Sequence, residues 1–304
     1  MVIIKLMGGL GNQLQQYALY QKFISMGKEA LLDVSWFESA TQADVLAARR
    51  LELDCFENAD YVSATPEQIG SVLGNQSAFA KLARKMHVMP KTIFSETGQF
   101  HPEIFGMEDV YLQGYWATEK YYADILPLLR EKLSFTHIDD ANRMMAAQIS
   151  QAACSGVKTC SVHIRRSDYL DPANALTFGG IATESYYDAA FSLVQERYPE
   201  TEFYIFSDDQ EYVQARYGSN AKCHIVDINH DKNNRYDIYL MSQCDFHICA
   251  NSTFSFWGAR LDDKRLICIR PTIHKNSQSF DYEEMKDLWK GWIFISPEGE
   301  VFAN

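Results

Sequence analysis

The chain has 304 residues, 47% of them hydrophobic, with a formal net charge of −12 and a pI near 5.1. That length suits two α/β domains or one large one. So acidic a surface argues against nonspecific nucleic-acid binding, and any anionic ligand must be held by local cations.

The seven cysteines are scattered, mostly in apolar runs (Cys160, Cys244, Cys249, Cys268), with no Cys-x-x-Cys pair. Reduced, buried thiols in a cytoplasmic protein are expected. The N-terminus lacks a basic n-region and a long apolar h-region, and no apolar run reaches transmembrane length. Peripheral association with a membrane surface stays compatible with this.

In chain order, Val2-Ile3-Ile4-Lys5-Leu6 is a short strand, Met7 to Gln13 a glycine loop, Leu14 to Met26 a helix stopped by Gly27, and Glu29 to Val34 a second strand. This β-loop-α-β opening predicts a parallel doubly wound sheet. Gly9-x-Gly11 with Asp33 about twenty residues on imitates a dinucleotide fingerprint, but Leu14 occupies its third small position. Residues 36–110 are polar, with Pro66, Pro90 and Pro102 marking turns. Leu112 to Trp116 precedes a helix from Glu119 to Leu133, and another helix spans Asp140 to Ala153. The domain junction is expected near 140–157, giving domains 1–150 and 151–304.

The second half begins with Thr159-Cys160-Ser161-Val162-His163-Ile164, a buried strand that runs into Arg165-Arg166-Ser167-Asp168-Tyr169. Two arginines at the end of a central strand fit a phosphate or pyrophosphate. A solvated pair, or ion pairing with Asp168, is the plainer alternative. Ser185-Tyr186-Tyr187-Asp188 resembles a capping box for a helix to Arg197. Strands are expected at Glu202 to Phe206, His224 to Asp227, Phe246 to Ala250 and, last, Arg265 to Ile269. Helices are expected at Asp237 to Ser242 and from Phe256. Ligands of such sheets bind beyond the carboxyl ends of the strands. His163 to Asp168, Ser207 to Asp209 and Asn251 to Ser255 all fall there.

The loop Asn251-Ser252-Thr253-Phe254-Ser255 offers hydroxyls and N–H groups at a helix start, suited to a phosphate or to ordinary capping. A carboxylate such as Asp237 can accept from guanine N1–H and N2–H₂, donors that adenine lacks, or can merely favour its helix dipole. His163 can bond a base or ribose, or be a satisfied core histidine.

Together these motifs resemble a bacterial α-1,2-fucosyltransferase of glycosyltransferase family 11, which includes the blood-group H enzymes. The resemblance is carried by Gly8 to Gln13 with Gln16-Tyr17-Ala18, Gly114-Tyr115-Trp116 with Glu119-Lys120-Tyr121, His163 to Tyr169, Phe206 to Asp209, and the run Asp237 to Leu261. Gln15 departs from a usual Phe, Ser167 from a usual Gly, and Phe256 and Arg260 stand where Trp is common.

The resemblance implies a GT-B-like α/β architecture of two Rossmann-like doubly wound domains facing a cleft, with the acceptor on the first and GDP-β-L-fucose on the second. It implies inverting transfer of fucose to the 2-hydroxyl of a galactose in an oligosaccharide, in surface-glycan or O-antigen synthesis, with no cofactor and no metal. Arg165 would contact the pyrophosphate, with Arg166 beside it. His163 and Asp237 would hold the guanosine and Asn251 to Ser255 the phosphates. Gly9, Gly11, Asn12 and Gln13 would lean across from the first domain. An arginine 4 Å from the phosphate supplies about 4 kcal/mol of attraction at an effective dielectric near 20, enough to matter to departure of GDP.

Spacing does not single out a general base. Asp168 and Asp171 are candidates, and Asp168 is equally suited to orienting an arginine. Asp208-Asp209 is read as structural or nucleotide-directed. The rival functions are fucosyl transfer of another linkage, a non-catalytic glycan- or nucleotide-binding module and, on the glycine loop alone, an NAD-dependent oxidoreductase.

Overall fold

A computed structural model describes residues 1–38, 49–74, 86, 92–166, 169–278 and 281–302, the side chain of Ala173 aside. Ser167, Asp168 and Pro90 lie outside the described residues. The chain forms two compact units, Met1–Ser134 and Phe135–Asn304. The division falls before the helix Asp140–Cys154, earlier than the sequence suggests. That helix packs on the strand and helices that follow it, and its Asn142 is hydrogen-bonded to Asn229.

In the first unit, β1 (Val2–Lys5), β2 (Ala30–Asp33), β3 (Ile93–Ser95) and β4 (Val110–Gln113) form a parallel sheet in the order β2-β1-β4-β3. Parallel sheets are covered on both faces, so their strands read as continuous apolar runs. Ile3, Ile4, Leu32, Val110 and Leu112 are accordingly buried. The helix Leu10–Ser25 buries Leu14, Tyr17, Ala18 and Phe23. A large apolar side chain such as Leu14 or Phe23 contributes roughly 1.5–3 kcal/mol on burial. The helix starts four residues before the expected Leu14 because Gly9, in extended backbone, takes the N-cap. The expected helix from Glu119 to Leu133 is two 3₁₀ turns followed by the helix Leu126–Lys132, with Pro127 in its first turn. A proline fits there, where its missing N–H is not needed.

In the second unit, β5 (Thr159–Ile164), β6 (Glu202–Ser207), β7 (Cys223–Val226), β8 (Phe246–Ile248), β9 (Ile267–Pro271), β10 (Ile293–Ile295) and β11 (Val301–Phe302) stand in the order β11-β10-β9-β8-β5-β6-β7. All pairs are parallel except β10 with β11. The sequence reading ended at β9. It missed β10, β11 and the helix Tyr282–Leu288. Cys160, Val162, Ile164, Phe203, Ile205, Phe246, Ile248 and Ile269 form the core with Tyr186, Tyr187 and Val194. The helix Glu184–Arg197 is capped by Thr183, whose hydroxyl accepts from Tyr186 N at 3.1 Å, and not by Ser185. Among the described residues no helix is long and apolar enough to cross a membrane.

Each sheet starts from an inner strand and extends first to one side and then to the other; in the second the chain winds outward both ways, while in the first β3 takes the far edge and β4 returns between it and β1. Strand order therefore reverses between β1 and β4 in one unit and between β5 and β8 in the other. Such switch points open a crevice at the carboxyl ends of the two strands.

Candidate active site

At the switch point of the second unit, the loops after β5 and β8 are tied together. Tyr169 Oη donates to the Asn251 carbonyl at 3.1 Å, and the His163 and Phe254 rings lie 5.6 Å apart. From below, Tyr187 Oη donates to the His163 carbonyl at 2.9 Å and Tyr186 Oη to the Cys249 carbonyl at 2.6 Å. These buried hydroxyls satisfy carbonyls at the carboxyl ends of β5 and β8. The β6 end joins them, since Ile164 pairs with Ser207 in register. The three polar clusters seen in the sequence thus meet on adjacent strand ends.

β5 ends at Ile164, and the two arginines that follow it diverge. Arg165 Nε lies 3.1 Å from Asp208 Oδ2. The other Asp208 oxygen accepts the backbone N–H of Arg166 at 2.8 Å. Arg166 Nε donates to Asp209 Oδ2 at 3.0 Å, and its guanidinium lies 3.8 Å from the Tyr212 ring centroid. Asp209 also caps the helix Gln210–Tyr217 by accepting from Tyr212 N. That bond first, and Arg166 second, hold the Asp209 carboxyl below its ordinary range. Among the described residues the arginine partners are Asp208 and Asp209; Asp168 lies outside the described residues. Both arginine side chains are about 30% exposed, neither sunk in the core nor free in bulk solvent. A cavity of about 260 Å³ opens beside them, lined by Arg165, Tyr169, Phe178, Ile181, Tyr187 and Asn251 among others. Asp171 directly precedes the helix Pro172–Phe178.

On the β8 side the helix Thr253–Leu261 begins three residues earlier than the expected Phe256, with Ser252 as N-cap. Its first N–H groups favour an anion. The side chains divide in role. Asn251 donates to the Phe178 and His274 carbonyls, both at 3.2 Å, and so pins two loops. The buried Ser255 hydroxyl donates to the Ser252 carbonyl at 3.1 Å. Ser252 makes no side-chain cap bond. Phe256 stacks on the buried Arg270 at 4.2 Å and meets Trp292 edge-on, so this departure from the family pattern is a packing feature.

Asp237 sits in the first turn of the helix Tyr236–Ser242 and is half-buried. Its Oδ1 accepts from Asn229 Nδ2 at 2.7 Å. Burial pushes its carboxyl up to about 7; the Asn229 bond opposes this and Asp227 adds to it.

The first unit carries Gly9, Gly11, Asn12 and Gln13, at the β1 side of its own switch point. Gln13 is fully buried; it donates to the Gly8 and Arg50 carbonyls and accepts from Glu52 N, which makes it a brace for the loop. Gln16 accepts from Met7 N at 2.8 Å and donates to the Gly114 carbonyl at 2.9 Å, joining the β1 and β4 ends. Gly8 has φ +83°, and a Cβ there would lie 2.8 Å from the Asn12 amide nitrogen. Asp33, the acid of the apparent dinucleotide fingerprint, accepts from Tyr111 Oη at 2.6 Å and from Ser35 N at 2.9 Å inside the unit.

Sequence reasoning missed Glu96. Its carboxylate accepts from the backbone of Tyr115, Trp116 and Ala117 and holds Trp116 at φ +54°. It packs so closely on Gly114 that no Cβ fits there. Asp208-Asp209 carried a usable signal: an acidic pair just past a strand beside an Arg-Arg strand end. Ser161, His247 and Asp262 have the composition of a hydrolytic triad. All three are buried, however, with the serine on Nδ1 at 2.8 Å and the carboxylate on Nε2 at 3.2 Å, so they brace β5 against β8.

The model of glycosyl transferase family 11 matches residues 96–296. The chain is similar to an alpha-1,2-colitosyltransferase of Escherichia coli, 30% identical over 282 residues, which cover 89% of this chain and 91% of that protein. It is also similar to the O-antigen biosynthesis glycosyltransferase WbnK of Escherichia coli, 26% identical over 296 residues, covering 90% and 95%. A crystal structure of the NodZ alpha-1,6-fucosyltransferase soaked with GDP-fucose covers 86% of this chain and 92% of that one, at 12% identity and a TM-score of 0.45.

Proposed function

Because the chain belongs to glycosyl transferase family 11, we propose that it transfers L-fucose from GDP-β-L-fucose to the 2-hydroxyl of a galactose, with inversion to an α linkage, in the synthesis of a surface glycan such as an O-antigen. The observation that carries this reading is the placement of Arg165 at the switch point of the second sheet, held by Asp208 and lining one cavity with Asn251, which leads into the helix Thr253–Leu261.

Breaking the fucosyl–phosphate bond puts charge on the departing GDP and oxocarbenium character on the sugar. Arg165 and the N–H groups at the head of the helix Thr253–Leu261 are fixed before the reaction, so they stabilise that charge without reorganisation. Asp237 and His163 hold the guanosine, the donor unit being the second and the acceptor unit the first. No metal or cofactor is required in this scheme. The general base is Asp168, Asp171 or the departing phosphate itself.

A second donor is favoured by the relative named a colitosyltransferase. Colitose is fucose without its 3-hydroxyl, so the same site could take GDP-colitose. Incubation with each donor and a panel of galactosides, followed by NMR of the product, decides the matter. An α-1,2-fucosyl galactoside is expected. Transfer of colitose alone, another linkage, or nucleotide binding without transfer overturns the reading.

A further inference from the structure

Asp139, Asn142, Asn229 and Asp237 form one hydrogen-bonded chain through the second unit. The two asparagine amides face each other, each Nδ2 donating to the other's Oδ1 at 2.9 Å. The remaining Asn142 N–H goes to Asp139 Oδ1 at 3.0 Å, and the remaining Asn229 N–H to Asp237 Oδ1 at 2.7 Å. Asp139 is itself anchored, since it caps the helix Asp140–Cys154 by accepting from Asn142 N at 2.9 Å. Asn142 is fully buried and Asn229 is 9% exposed.

We propose that the Asn142–Asn229 pair is a positioning device for the base-reading carboxylate of Asp237, and that it sets how strictly the donor's nucleobase is selected. This rests on the guanosine assignment made under the proposed function. The acceptors at the two ends fix the sense of the chain. Flipping either amide would set a carbonyl oxygen against a carboxylate, so Asn229 can present only an N–H to Asp237.

Among the described residues Asn229 supplies the sole hydrogen bond to that carboxyl. The donor is neutral and touches one oxygen. The carboxylate is thus held in one rotamer without being neutralised by a cation, and its acceptor capacity is kept for paired N–H donors. Guanine offers that pair in N1–H and N2–H₂, whereas hypoxanthine lacks the 2-amino group. A carboxylate free to rotate can recover one bond to either base, and the difference between them shrinks. A fixed one cannot adjust.

The test is calorimetric binding of GDP and IDP to the wild type, Asn229→Ala and Asn142→Ala, each shown to be folded by thermal melting. Loss of properly folded protein lowers the number of sites but does not move the ratio of the two dissociation constants. The wild type is expected to prefer GDP by about 10-fold or more, the worth of one well-made hydrogen bond. Asn229→Ala should bring the ratio below about 3-fold, with Asn142→Ala in between. Should Asn229→Ala fail to fold, Asn142→Ala, one link further from the base, carries the same test. Full wild-type preference in the folded variants overturns the positioning role and leaves the guanosine assignment standing. Equal affinity of the wild type for GDP and IDP overturns the guanosine assignment itself.

Discussion

Asp208 holds Arg165 by a 3.1 Å contact from its Oδ2 to the arginine Nε, while its Oδ1 takes the backbone N–H of Arg166 at 2.8 Å. One carboxylate therefore aims a cation and fixes the turn that carries it. This ion pair holds Arg165 through Nε, and a guanidinium fork matches a phosphate bidentately. Asp208→Ala should lower kcat by about 10- to 100-fold, the worth of a charge-assisted hydrogen bond or two. Asp208→Asn keeps an acceptor and should lose less. Steady-state kinetics on the two variants check this, and equal losses would contradict it.

The two arginines are expected to fail differently. Arg166 stacks on Tyr212 and pairs with Asp209, so its surroundings are those of a structural cation. Arg166→Lys loses the planar stack and should cost on the order of 1 kcal/mol of stability, after allowance for its partial exposure. That is a fall of a few degrees in Tm. Arg165→Lys should leave Tm within about one degree and lower transfer, because a lysine cannot reproduce the fork. Melting curves and initial rates on the same preparations separate the two.

Adjacent glutamines on the first helix offer a test within one turn. Gln15 is fully buried, and neither amide atom has a hydrogen-bond partner among the described residues; Gln16 is also buried but bridges Met7 N and the Gly114 carbonyl. A buried amide without partners is destabilising by roughly 1–3 kcal/mol. Gln15→Met should therefore raise stability by about 1 kcal/mol, and Gln16→Ala should lower it by about 2 kcal/mol or more through two orphaned backbone groups. Denaturant unfolding monitors both.

Much of the second unit's site could be read in the chain because apolar runs ended in polar clusters: Ile164 before Arg165, Phe206 before Ser207-Asp208, and Ala250 before Asn251. Strand ends are local events. What joined them was not local. The Arg166–Asp209 and Asn142–Asn229 bonds span 43 and 87 residues, and no periodicity encodes them. The sequence pattern puts two helix starts late, at Leu14 and Phe256, because Gly9 and Ser252 cap from inside what reads as loop. β10 and β11, at three and two residues, are too short for an alternation to show. The motif around Gln13 likewise does not reveal that its amide is taken up by Gly8, Arg50 and Glu52.

Asp237 ties stability to pH. Its carboxyl is pushed up to about 7 in the folded chain, mainly by burial, from an ordinary value of 3.8. A raised carboxyl favours the protonated folded state. Its contribution is fully present below about pH 4 and is lost as pH rises through about 7. In the absence of nucleotide, Asp237→Asn should therefore be more stable than wild type at pH 8, by up to about 4 kcal/mol, and little different at pH 4. Guanine donors need the ionised form, so GDP affinity should rise between pH 6 and pH 8 in the wild type and stay flat through that carboxyl's range in Asp237→Asn. Calorimetry at several pH values would show it.

The most direct test of the account is the rate of GDP release from GDP-fucose with a galactoside acceptor, in EDTA, for the wild type and Arg165→Ala. If a guanidinium fixed at the end of β5 stabilises the departing diphosphate, the wild type turns over in the chelator and the variant falls by at least about 100-fold, the loss of one charge-assisted contact to the leaving group. A variant within about threefold of wild type, or a wild type that is silent until Mg²⁺ or Mn²⁺ is restored, would contradict it.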